Sequence, residues 1–190
     1  MTIHSTEGDP ADGAAALVQY GAEPVRLNTQ EHFAFTEGPV WDGAGSLHFS
    51  DGPSNTTRRL RPDGTFDVLR SETRGGNGMA LDHAGNLLVC EGAGNRVSLV
   101  HLDSLAVETV VERYDGKPLN SPNDLVLDRA GGFYFTDPVF PAAGQRPVQD
   151  VEAIYYVGPG QGEPTRVWDG VPKPNGIVLR PNERTLLVAD

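Results

Sequence analysis

The chain of 190 residues carries a net charge of −11, with 38% hydrophobic and 22% charged residues. That length allows one domain with a sizeable core. The acidic balance argues against nucleic-acid binding, since no Lys/Arg cluster appears beyond "RRLR" at 58–61. The 23 glycines and 15 prolines favour a turn-rich all-β protein over a helical one.

The N-terminal residues lack the regular patterns of the remaining chain. They show neither the basic start nor the apolar run of a signal peptide, and no stretch has the length and apolar character of a membrane span. We therefore expect a flexible N-terminal extension, 1–22, on a cytoplasmic protein without a membrane partner. "EPVRLNT" at 23–29 is predicted to be a strand that closes a ring of sheets.

Four segments share one pattern: a polar residue followed by Gly or Asp, an alternating apolar strand, a turn, and a second strand. They are EGPVWDGAGSLHFSD (37–51), NGMALDHAGNLLVCE (77–91), NDLVLDRAGGFYFTD (123–137) and NGIVLRPNERTLLVAD (175–190). The segments begin at residues 37, 77, 123 and 175, so their starts lie 40, 46 and 52 residues apart. Such spacing is typical of propeller blades. Further alternating runs at 57–70, 95–112 and 153–169 predict two outer strands for each of the first three blades.

The fourth segment stops at Asp190, directly after its second strand. Closed propellers have about four to eight blades. We therefore expect residues 23–190 to be an incomplete N-terminal portion, about three and a half blades, of a larger propeller. The stretch 138–152 is predicted to be a longer loop over one end of the ring.

A polar residue begins the first strand of each repeat. The first strands of propeller blades surround the central channel, so Glu37, Asn77, Asn123 and Asn175 are expected to meet in space. One carboxylate with three amides is a set of hard oxygen donors that suits Ca²⁺, and also Mg²⁺ or Mn²⁺. A zinc site of thiolates and imidazoles is not predicted, because the histidines are scattered and Cys90 is the single cysteine.

The plainer interpretation is that each of these Asn residues serves only its own turn, since Asn tolerates left-handed backbone angles. The acids that end the second strands are interpreted as caps of the turns that follow them; they are Asp51, Glu91, Asp137 and Asp190. Trp41 and Trp168 are expected to pack between blades.

The four motifs EGPVW (37–41), NGMALDHAGNLLVCE (77–91), GKPLNSPNDLVLDRAGGFYFTDP (116–138) and KPNGIVLRPNERTLLVAD (173–190) closely resemble the SMP-30/gluconolactonase family, with its regucalcin-like and LRE-like members. The resemblance runs from about residue 23 to the end. It implies an all-β, six-bladed β-propeller with one divalent cation in its channel. Ca²⁺ is the expected ion, and Mg²⁺, Mn²⁺ or Zn²⁺ are alternatives. It also implies hydrolysis of sugar lactones or related small lactones.

The resemblance implies specific roles for the predicted residues. Glu37 and Asn175 match metal ligands, and Asn123 matches a residue that contacts the substrate and in some members the metal. Asn77 is assigned to substrate binding by its repeat position. Ser121 stands where some members have an Arg that contacts the substrate, so that contact is not expected here.

The catalytic residue stays unassigned. The resemblance implies an Asp in a Pro-Asp-Gly motif, which would be both a metal ligand and the acid/base, and that motif would fall beyond Asp190. The prediction is thus a metal-dependent lactonase with a small-molecule lactone as its partner, and with little or no activity in this chain by itself. A non-catalytic propeller binding module, or strictosidine-synthase-like chemistry on the same scaffold, remains an alternative. The oligomeric state is left open.

Overall fold

The computed structural model describes residues 31–140, 144–160 and 162–190. The predicted flexible extension 1–22 and the predicted closing strand at 23–29 lie outside these residues. From His32 to Asp190 the described chain forms one compact unit. Its regular structure consists of β-strands and one 3-10 turn, Gly92–Gly94, as the alternating apolar pattern predicts.

Three four-stranded antiparallel sheets follow one another along the chain, each with its strands in sequence order; we call them blades. The first blade contains β1 (Thr36–Trp41), β2 (Leu47–Asp51), β3 (Thr56–Leu60) and β4 (Phe66–Ser71). The second contains β5 (Gly76–Leu81), β6 (Leu87–Glu91), β7 (Arg96–Val100) and β8 (Val107–Val111). The third contains β11 (Leu125–Leu127), β12 (Phe133–Asp137), β13 (Ala153–Val157) and β14 (Thr165–Trp168).

Two smaller sheets complete the described strands. β9 (Arg113–Tyr114) pairs with β10 (Lys117–Pro118) between the second and third blades. β15 (Ile177–Leu179) pairs with β16 (Leu186–Val188) and forms the fourth sheet of the series. The first strands lie side by side, because β1 contacts β5, β5 contacts β11, and β11 contacts β15. The sheets are therefore arranged radially, as the repeat predicts.

The same turn joins the first two strands in each of the three blades. After β1, the Asp42 Oδ1 accepts the N–H groups of Ala44 and Ser46, at 2.8 and 2.9 Å. Asp82 and Asp128 bind the corresponding N–H groups after β5 and β11. An Asp that bonds to the backbone two residues on fixes such a turn, so the shared Asp accounts for the common geometry of the three hairpins.

The core lies between the blades. Every residue of β6 is buried, because the second blade is covered on both faces. Leu87 and Val89 join a cluster with Leu69 of the first blade, whereas Leu88 faces the other way, in a cluster with Phe135 of the third. Side chains alternate across a strand, so the continuous apolar run supplies both interfaces. The prediction that Trp41 and Trp168 pack between blades is wrong, since they are 60% and 57% exposed.

Two of the acids that end second strands hold the segment that leads into the first strand of their own blade. Asp51 Oδ1 accepts the N–H groups of Ala34 and Phe35. Asp137 accepts the N–H groups of Asn120 and Ser121, at 2.8 and 2.7 Å. These bonds fasten the chain just before the polar residue of the repeat, whereas the sequence predicts that each acid caps the turn after it.

The burial of the Asp137 carboxyl group predicts that the free energy of unfolding depends on pH. Burial raises the pKa of Asp137 to about 7 from its usual 3.8, against the two backbone N–H groups that favour its charged form. Between these values the folded chain holds a proton that the unfolded chain has lost, so stability falls as pH rises. In urea unfolding, we expect the free energy of unfolding to fall more between about pH 5 and about pH 8 in the unaltered chain than in Asp137→Asn. Equal falls in the two chains would contradict the assignment.

Candidate functional site

The starts of the four first strands line a single cavity of about 230 Å³. Glu37, Asn77, Asn123 and Asn175 all line it. The structure thus brings together the four residues whose convergence the repeat predicts, from four successive sheets. Asn123 is buried, Glu37 and Asn77 are partly buried, and Asn175 is exposed.

Glycines that follow the polar residues allow the first strands to come this close. A Cβ on Gly38 would lie 2.8 Å from the Cα of Gly78. A Cβ on Gly78 would lie 2.6 Å from the Cα of Asp124 and 2.8 Å from the carbonyl oxygen of Asn123. Backbone atoms cannot move aside cheaply, so Gly38 and Gly78 are required by the approach of neighbouring blades.

Gly78→Ala is expected to lower the free energy of unfolding by about 2–3 kcal/mol, because overpacking a close contact has a cost of this size. The control is Gly52→Ala, at a glycine whose added Cβ would meet its nearest atom at 3.8 Å. Urea unfolding of the two variants measures the difference. Equal stability of Gly78→Ala and Gly52→Ala would show that the blades do not need the glycine.

Bulges displace the first strands of the first two blades at this point. The pairing of β1 with β2 shifts register between Glu37 and Val40, and that of β5 with β6 shifts between Gly76 and Met79. A bulge re-aims side chains and is common beside functional sites. The two shifts coincide with Glu37 and Asn77, at the wall of the cavity.

Bonds between blades fix the backbone of the three Asn residues. Ser50 Oγ donates to the carbonyl oxygen of Asn77 at 2.7 Å, and Thr136 Oγ1 donates to that of Asn175 at 2.8 Å. The carbonyl oxygen of Asn123 accepts from Gly78 N at 2.8 Å. The backbone of each Asn is therefore held in place by a hydrogen bond to the preceding blade.

Asp124 is a second carboxylate of the cavity that the sequence reasoning missed. Its Oδ1 accepts from Leu125 N at 2.9 Å and its Oδ2 from Ile177 N at 3.0 Å. Burial raises the pKa of Asp124, and these two N–H groups oppose the rise. The available signal was that an Asp occupies the place where the other three repeats have Gly.

The cavity is electrostatically suited to a cation. Burial, followed by the charge of Asp124, raises the pKa of Glu37. Within the described chain no Lys or Arg lines the cavity, and no group of three or more His, Cys, Asp or Glu is placed to hold a metal. A cation would therefore depend on amide and backbone oxygens besides the two carboxylates. That donor set is the one that hard divalent ions prefer.

The two polar residues at the start of "NSPN" face the predicted loop at 138–152. The buried Asn120 accepts from Val148 N and Gln149 N with Oδ1, at 2.8 and 2.9 Å, and donates from Nδ2 to the Val151 carbonyl oxygen at 3.1 Å. Ser121 Oγ accepts from Gln145 Nε2 at 2.7 Å. These two residues attach the loop beside the strand start, and Asn123 alone of this group reaches the cavity.

The fold and its axial cavity define a β-propeller, of which these residues supply three four-stranded blades and a two-stranded sheet. Residues 35–190 match the model of the SMP-30/gluconolactonase/LRE-like region. The chain belongs to this family.

The relatives agree with that assignment. The chain is 30% identical to a gluconolactonase of Zymomonas mobilis in an alignment 174 positions long, which covers 82% of this chain and 49% of that protein. It is 34% identical to the structure of the gluconolactonase XC5397 from Xanthomonas campestris, with a TM-score of 0.76 over 83% of this chain and 55% of that one. The chain thus spans about half the length of the curated relative that it matches.

A more distant structure shares the fold alone. Regucalcin from Agrobacterium tumefaciens, a calcium-binding protein, is 18% identical, with a TM-score of 0.66 over 83% of this chain and 51% of that one.

Among the residues that the structure describes here, no helix is long and apolar enough to cross a bilayer.

Proposed function

We propose that this chain contributes to a metal-dependent hydrolase that opens a sugar lactone or a related small lactone. In this proposal Glu37, Asn123 and Asn175 are metal ligands, and Asn123 and Asn77 contact the substrate. The observation that carries the proposal is the convergence of these four side chains on one cavity of about 230 Å³. The membership of the gluconolactonase family supports the reaction class.

The residues of the cavity have distinct tasks in this function. Glu37 supplies the negative charge among the three ligands, and Asp124 adds a second charge without leaving its two backbone N–H partners. The amides of Asn77 and Asn123 orient the lactone by hydrogen bonds. A divalent cation bound here would polarise the lactone carbonyl and favour the oxyanion that forms on it.

Hydrolysis adds water to the carbonyl carbon and releases the ring oxygen as a hydroxyl group, so one proton must be taken and one given. We assign this acid/base role to none of the described residues. The Asp expected beyond Asp190 stays a prediction, and with it the expectation of little or no turnover by this chain alone. Where turnover is detected, a screen of lactones, other esters and amine–aldehyde condensation separates the lactonase from the strictosidine-synthase-like alternative.

Calcium is expected to stabilise the chain against heat, because a ligand that binds only the folded state must raise stability. At a hundred times its dissociation constant the gain is about 2.7 kcal/mol. Thermal unfolding in millimolar Ca²⁺ and in EGTA measures this stabilisation. The same measurement in Mg²⁺, Mn²⁺ and Zn²⁺ ranks these ions as alternatives. Identical melting in every ion and in EGTA would favour a binding module without a metal.

A further inference from the structure

A second cavity, of about 580 Å³, lies beside the central one. It is lined by Asn120, three residues before Asn123, and by Lys173, two residues before Asn175. Fully extended chain spans at most about 3.5 Å per residue, so these pairs are separated by at most about 10 and about 7 Å. Residues of the two linings therefore lie within the length of one small molecule, and this closeness is the geometric premise of the proposal below.

The walls of this cavity are largely aliphatic; they include Val139, Pro147, Val151, Val171 and Pro172. Asn120 also lines it, but its side-chain amide is used in holding the loop. The surface consequently offers a ligand apolar contact more than free hydrogen-bond partners.

Three carboxylates also line the cavity, and each already has partners. Glu152 accepts from the backbone N of Val139 and of Lys173, at 2.6 and 3.0 Å. Asp150 pairs with Lys117 at 2.7 Å, and Asp169 lies 3.7 Å from Arg166. Lys173 is the single cation of the lining, so the local charge disfavours a phosphate or carboxylate group.

A still larger cavity, of about 650 Å³, does not compete for the same role. It is lined by residues 109–116 and 162–164, from β8, β9 and the turn before β14. None of the strand starts that form the central cavity reaches it.

We propose that the 580 Å³ cavity, the substituent pocket, binds an uncharged aliphatic substituent of the lactone whose ester group occupies the central cavity. The inference rests on the proposed function and deepens it by naming a substrate class: lactones with an alkyl side chain, in preference to bare or phosphorylated sugar lactones. Its volume falls within the range of about 300–1,000 Å³ that is usual for small-ligand sites.

The test compares δ-undecalactone, which carries a hexyl chain on a six-membered ring, with unsubstituted δ-valerolactone. Binding to the full 190-residue chain is followed by NMR titration in Ca²⁺. Burial of even part of the chain should make the dissociation constant of δ-undecalactone at least about tenfold lower. Glucono-δ-lactone should also bind more tightly than its 6-phosphate. Equal affinities for δ-undecalactone and δ-valerolactone, which share the six-membered ring, or no binding of δ-undecalactone, would overturn the proposal.

Two valines of the same loop provide matched variants. Val151 lines the pocket and is 36% exposed, whereas Val148 does not line it and is 40% exposed. The backbone of each bonds to the amide of Asn120. Val151→Asp should remove the tenfold preference for the hexyl chain, and Val148→Asp should leave it. Val151→Ala, a milder change, should reduce the preference several-fold. The same loss from Val148→Asp would show general hydrophobic binding and overturn the assignment.

Repeating the lactone titrations in EGTA separates the substituent pocket from the metal-dependent function. A hexyl preference that depends on Val151 but persists without calcium supports the pocket while the metal-dependent function fails. Stabilisation by calcium without any hexyl preference overturns the pocket and leaves the metal site standing.

Discussion

Glu37→Gln is expected to weaken calcium binding by at least about a hundredfold, equivalent to about 2.7 kcal/mol. Glu37 is the one carboxylate among the three proposed ligands, and Asp124 is the one other carboxylate that lines the cavity within the described chain. The substitution keeps the shape of the side chain and removes one of the two negative charges that attract the ion. Calcium affinity is sensitive to the number of charged ligands, so the loss should be large.

Isothermal titration with Ca²⁺ measures this change directly. Glu112→Gln is the matched control, because it makes the same chemical change on an exposed residue that does not line the cavity. Its affinity should equal that of the unaltered chain. Unchanged affinity in Glu37→Gln would remove Glu37 from the site and the charge argument with it.

The convergence of the site could be predicted because it depends on the repeat alone. The four segments share one order of polar residue, strand, turn and strand. If the sheets are radial, residues at the same repeat position must lie at a similar distance from the common axis. Glu37 and Asn175 could therefore be expected in one cavity without any knowledge of particular contacts. The strand pairs within each blade follow from alternation and turn residues in the same way, and the structure confirms them.

The parts that could not be predicted depend on contacts between segments. Asp124 stands where the other repeats have Gly, and its role follows only from its bond to Ile177 in the next sheet. The direction of Asn120 follows from a loop about thirty residues later. Trp41 is predicted to pack between blades, but its place at the end of β1 leaves it exposed. No pattern within one segment specifies such contacts.

Glu91→Ala is expected to lower the free energy of unfolding by about 3–5 kcal/mol, the usual cost of breaking a buried ion pair from one side. Glu91 ends β6 and its side chain is fully buried. It accepts from Arg70 Nη1 and Arg96 Nε, both at 2.6 Å, and from Ser98 Oγ at 2.8 Å. Its removal leaves two largely buried guanidinium groups without this counter-charge.

Two further variants isolate this cause. Glu108→Ala breaks an exposed contact with His101 and should change stability by less than about 1 kcal/mol. Replacing Glu91, Arg70 and Arg96 together by Met should recover much of the loss, since apolar groups can replace a buried ionic cluster. Urea unfolding measures all three, and a loss below about 1 kcal/mol in Glu91→Ala would contradict the argument.

The position of Glu91 links this stability to the site. Arg70 lies on β4 of the first blade and Glu91 on β6 of the second, so their ion pair joins the blade that carries Glu37 to the blade that carries Asn77. Folded Glu91→Ala should therefore bind calcium more weakly, although Glu91 does not line the cavity. Full affinity in the folded variant would show that the other contacts between blades are sufficient to set the distance between the ligands.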